Sequence, residues 1–84
     1  MDHKDNHAKK LGFVVAIPEE LYFQSINKQA ALFVELIDKD WHCWREVKTS
    51  SGYNNKDISI SENFYHVMKK ANDYFNYLKR LKRK

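Results

Sequence analysis

The chain is poor in the residues that build special-purpose scaffolds. A single cysteine, Cys43, excludes an intramolecular disulfide framework and a cysteine-based zinc finger. Two glycines and one proline exclude a collagen-like repeat, a loop-rich scaffold and a glycine-rich phosphate cradle. No uninterrupted apolar run is longer than Phe13–Ile17, against the ~18 residues a membrane-spanning helix needs. Met1–Lys10 has neither the apolar stretch of a secretory signal nor the acid-poor composition of a mitochondrial presequence. There are no internal repeats and no low-complexity tracts. These absences lead us to expect a small, soluble, cytoplasmic domain with no membrane partner.

What is present is a small globular composition. The chain has 84 residues, 43% hydrophobic and 31% charged. A chain of that length buries only about 60–65% of its unfolded surface, so it has one small core. Met1–Lys10 (MDHKDNHAKK) offers almost no aliphatic surface and reads as a flexible N-terminal tail, leaving 11–84 as a single domain.

Residues 11–17 (LGFVVAI), β-branched, aromatic and bounded by Pro18, read as a short buried strand. Pro18 suits the first turn of a helix, with Glu19 and Glu20 at the positive end of its dipole. Ile26, Ala30, Phe33, Ile37 and Trp41 recur every three or four residues, which predicts helix from Pro18 to Lys39, interrupted near Ser25. Trp41–Thr49 leans to strand by composition. Ser50–Lys56 (SSGYNNK) reads as a loop, and the alternation in Asp57–Ser61 (DISIS) predicts a strand paired with 43–49. From Phe64 the apolar positions Val67, Met68, Ala71, Tyr74, Phe75, Leu78 and Leu81 predict an amphipathic helix of about five turns. The expected fold is α+β, with two helices packed on a short antiparallel sheet of 11–17, 43–49 and 57–61. The alternative is an all-α domain in which the weak strands are loops.

Charge is concentrated at one end. The net charge is +4, yet residues 69–84 hold seven basic residues against the single acid Asp73, so the rest of the chain is slightly acidic. A concentrated basic surface points to an anionic partner, whereas cations at a helix C-terminus also suit the dipole and solubility. The expected contact set is Lys69, Lys70, Tyr77, Lys79, Arg80, Lys82, Arg83 and Lys84, with Leu78 and Leu81 turned toward the body. Aromatics are frequent too, and Tyr53, Tyr65, Tyr74 and Tyr77 could stack on bases or anchor a protein or homodimer interface.

Catalytic and metal chemistry is weakly represented. His3 and His7 are four apart but lie in the polar tail. His42 and Cys43 are adjacent, and neighbours on a strand point to opposite faces, which disfavours a thiolate–imidazole pair. The pairs Glu19–Glu20 and Asp38–Asp40 suit helix ends better than acid–base work in so small a fold. No catalytic residue, metal ligand or cofactor site is expected.

The stretches LGFVVAIPEELY and GYNNKDISIS are similar to the start and a later turn of the winged-helix domain in phage replication initiators. That domain needs a break between two short helices, and none is visible between Glu62 and Lys84. The residues therefore point to no family. The expectation is a small non-enzymatic nucleic-acid-binding protein, of the regulator kind carried by phages or plasmids, contacting DNA rather than RNA through its basic C-terminal helix. The alternative is a protein–protein interaction module or inhibitor with an aromatic surface, in which case the basic end only solubilises it or meets an acidic protein surface.

Overall fold

The computed structural model describes residues 3–82. Helix α1 (His3–Lys10) is followed by strands β1 (Val14–Ile17), β2 (Leu21–Asn27), β3 (Ala30–Ile37), β4 (Asp40–Thr49) and β5 (Gly52–Ser61), then helix α2 (Phe64–Lys82). The strands form one five-stranded antiparallel sheet in chain order, and α2 crosses one of its faces. The fold is α+β, and the all-α alternative is not supported. No described helix is long and apolar enough to cross a membrane.

The largest departure from expectation lies between Pro18 and Lys39. This segment is a β-hairpin and not a helix: Tyr22 pairs with Val34, Phe23 with Phe33 and Gln24 with Leu32. Both faces of these strands carry apolar side chains, so the two-residue alternation is blurred and imitates a broad helical stripe. The turn chemistry decides against the helix. Pro18 opens a turn in which Glu19 takes φ 64°, and Asp38 takes φ 58° in the two-residue link that brings Ile37 opposite Asp40. Aspartate tolerates that left-handed conformation, which a two-residue hairpin requires.

Two boundaries also move. The expected loop at Ser50–Lys56 shrinks to a turn at Ser50 and Ser51, and Gly52–Lys56 pairs with β4. Pairing of 57–61 with β4 is as expected, with the register slipping at Cys43–Trp44 so that Ser59 faces Cys43 and Asp57 faces Trp44. The first strand starts at Val14, because Leu11 and Gly12 terminate α1.

Where a tail was expected, His3–Lys10 is helical with Ala8 buried. The helix ends in a Schellman motif. Phe13 N–H donates to the Ala8 carbonyl at 2.9 Å and Gly12 N–H to the Lys9 carbonyl at 3.0 Å. Gly12 sits at φ 94°, where a Cβ would also lie 2.5 Å from Gln24 Nε2. The Tyr22 hydroxyl donates to Asp5 Oδ1 at 2.6 Å, and Glu19 N–H donates to the same oxygen at 3.0 Å. Tertiary contact thus orders a segment with little helix signal of its own.

The core lies between the sheet and α2. Tyr22, Leu32, Val34, Trp41 and Cys43 project inward from alternate strand positions and meet Phe64, Val67, Met68 and Ala71. The Tyr22, Trp41 and Phe64 rings pack mutually at 4.7–6.0 Å between centroids. Phe64, Val67 and Met68 each contribute about 1.5–3 kcal/mol of transfer free energy. Asn63 caps the helix, its Oδ1 accepting from Tyr65 N–H at 2.9 Å and His66 N–H at 3.3 Å. No break divides α2, so the helix-turn-helix unit of the winged-helix resemblance is absent from this region.

Candidate interaction surfaces

The first surface is the outward side of α2. Phe64, Val67, Met68 and Ala71 are buried, so with 3.6 residues per turn Lys69, Lys70, Asp73, Tyr77 and Arg80 fall on the opposite side and are exposed. Their free charge is less than their number. Lys69 Nζ lies 3.0 Å from Asp73 Oδ2 in an exposed pair that contributes little to stability. Lys79 lies off the outward line, its Nζ 4.7 Å from the centre of the Phe75 ring. Lys70 and Arg80 extend to solvent, and Tyr77 between them is 51% exposed. Lys82 is the last residue of α2, and Arg83 and Lys84 lie outside the described residues.

The apolar stripe does not face the body along its whole length, as it was expected to. Leu81 is 49% exposed and lies at the edge of a groove between α2 and β2. Leu78, Phe75 and Lys79 line this open groove of about 470 Å³ with Ile26 and Asn27 of β2. Further along, Tyr74 is tied to the sheet, its hydroxyl accepting from Arg45 Nη1 at 2.8 Å.

The second surface is the sheet face that α2 leaves open. Strand register places Val14, Phe23, Phe33, Trp44 and Asp57 side by side across all five strands. Phe23 and Phe33 are 6.1 Å apart between ring centres, and Phe33 stacks on Trp44 at 5.3 Å and 10°. The row on one side of the rings runs Leu21, Glu35, His42 and Ile60, and the row on the other side Ser25, Ala31, Glu46 and Asn55. Glu35, Glu46 and Asp57 therefore surround the ring stack. The basic residues that register puts on this face are His42, the cross-strand partner of Glu35, and Lys48, at the far end of β4 opposite Tyr53.

Sequence reasoning missed this face. In the sequence Trp44 falls in a stretch that leans to strand by composition, and the spacing around Phe33 predicts a helix, so nothing marks the two as neighbours. The available signal was period-two alternation from Leu21 onward, which puts Leu21, Phe23 and Ser25 on one side and Tyr22, Gln24 and Ile26 on the other.

His42 and Cys43 project to opposite faces, as their adjacency on a strand requires. Cys43 is buried against α2, and desolvation pushes its thiol up to about 12. The His7 ring packs edge-on against Tyr65 at 5.0 Å. No protein-family model, curated protein or solved structure matches this chain.

Proposed function

We propose that the protein binds nucleic acid through the outward side of α2, in a non-enzymatic role. The observation that carries this reading is the separation of charge between the two faces. The exposed cations Lys70 and Arg80 lie on the helix side, while Glu35, Glu46 and Asp57 lie on the open sheet side. A phosphate backbone is thus attracted to one side and repelled by the other, which orients the encounter. Lys70 and Arg80 make phosphate contacts, and Tyr77 packs against sugar or base between them. Lys69 joins when the polyanion competes with Asp73. Such contacts position the protein without reading sequence.

DNA is favoured over RNA because an exposed helix about 28 Å long fits between the phosphates that wall the wide major groove of B-form duplex, whereas the deep, narrow major groove of A-form RNA does not admit it. The raised thiol of Cys43, inert in the core, supports a binding role over a nucleophilic one. Fluorescence anisotropy with labelled duplex DNA and duplex RNA tests the reading. DNA should bind more tightly, and the variant Lys70→Ala/Tyr77→Ala/Arg80→Ala should lose most of that affinity. Equal affinity in parent and variant would refute it.

A second reading is favoured by the ring row of Phe23, Phe33 and Trp44. Three aromatic side chains in line on an uncovered sheet face supply the rigid contact area typical of protein interfaces. In this reading the open face is where a partner protein docks, independently of α2.

A further inference from the structure

We infer that the open sheet face docks a cationic, arginine-bearing segment of a partner protein, an inference that rests on the protein-interaction reading of that face. The face combines an aromatic plane with an anionic border. Asp57 is the cross-strand partner of Trp44, Glu46 follows Trp44 by two residues on the same side of β4, and Glu35 stands likewise beside Phe33. Among the described residues no hydrogen bond or ion pair engages these carboxylates. Because Phe33 stacks on Trp44, the ring face left for a guanidinium is that of Trp44 on the Asp57 side, where the group stacks flat while its edge donates to a carboxylate in a bidentate fork. An ammonium has the charge but neither the plane nor the fork.

The apolar ends of the face complete the description of the occupant. Val14 at one end of the ring row is 52% exposed and Ile60 on β5 is 54% exposed. A segment lying across the strands would place arginine near Phe33 and Trp44 and aliphatic residues toward these two. Other occupants fit less well. A single-stranded nucleic acid could stack on the rings but would bring its phosphates against Glu35, Glu46 and Asp57. A second copy placed face to face would drive two sets of carboxylates into one desolvated layer.

Titration of the full chain followed by tryptophan fluorescence tests the inference, with Trp44→Phe separating the signal of the buried Trp41. The probes are a short peptide alternating arginine and leucine, the same peptide with citrulline for arginine, the same with glutamate, and oligo-dT. The arginine peptide should perturb Trp44 saturably, and the citrulline peptide should bind about tenfold more weakly or worse. Glu35→Gln/Glu46→Gln/Asp57→Asn should cause a loss of similar size at unchanged thermal stability, while Lys70→Ala/Arg80→Ala leaves peptide binding intact. Equal binding of arginine and citrulline peptides would overturn the cationic specificity and leave the interface reading standing. Failure of every peptide to perturb Trp44 would overturn both. Oligo-dT displacing the arginine peptide would assign the face to nucleic acid. A concentration-dependent dimer abolished by Phe33→Glu would assign it to a second copy.

Discussion

Replacing Tyr22 with Phe isolates the contact that ties α1 to the sheet. The Tyr22 ring is fully buried between Trp41 and Phe64, and the substitution keeps that packing. What is lost is the 2.6 Å hydrogen bond from its hydroxyl to Asp5 Oδ1. A hydrogen bond to a charged group contributes about 1.5–3 kcal/mol, and the lower half of that range applies because Asp5 remains partly solvated and keeps the Glu19 N–H donor. A loss of about 2 kcal/mol corresponds to a fall in Tm of roughly 10 °C for a domain of this size. Urea unfolding followed by tryptophan fluorescence measures it, since Trp41 lies against the Tyr22 ring. Asp5→Ala should destabilise more, because it removes the acceptor that the Tyr22 hydroxyl and the Glu19 N–H share. Amide exchange should show α1 opening before the sheet in either variant. A change below about 0.5 kcal/mol for Tyr22→Phe, with α1 still protected, would refute the view that this bond orders the N-terminal helix.

Three further outcomes follow from burial along the helix and the sheet. Met68→Ala should cost about 2–4 kcal/mol because its side chain is fully buried, whereas Leu81→Ala on the same helix should stay within about 0.5 kcal/mol; calorimetry distinguishes them. Cys43, its thiol pushed up to about 12 by burial, should resist alkylation in the native state and react only as the protein unfolds. The same group stays neutral in the fold while its unfolded counterpart ionises, so its contribution to stability is lost as pH rises from 9.0 toward about 12.

What could be read from the sequence divides along physical lines. Helix α2 is legible because its apolar residues fall on one side, its polar residues on the other, and Asn63 provides a cap. The pairing of Asp57–Ser61 with β4 is legible from the polar–apolar alternation, but the register slip at Cys43–Trp44 is not, and it puts Ile58 against the core and Ile60 on the open face. The β2–β3 hairpin is not, since Leu32 and Val34 point to the core while Phe33 points away, and a strand apolar on both faces has no clean period. Helix α1 buries one side chain and depends on Asp5 and the Gly12 turn, both tertiary in origin. Of the two candidate surfaces, the basic set was visible as a run of composition. The aromatic row needs the register of β2, β3 and β4 before its members become neighbours.

The salt dependence of duplex DNA binding tests the central claim most directly. Affinity should be measured between about 50 and 200 mM salt for the parent, for Lys70→Ala/Arg80→Ala on α2, and for Glu35→Gln/Glu46→Gln/Asp57→Asn on the open face. The parent should show a steep linear fall of log affinity with log salt. The α2 variant should lower that slope by up to ~0.9 for each phosphate contact removed, and the open-face variant should keep the parent slope or bind slightly more tightly. A parent with no measurable affinity at low salt, or an α2 variant with an unchanged slope, would contradict the assignment of nucleic-acid binding to the outward side of α2.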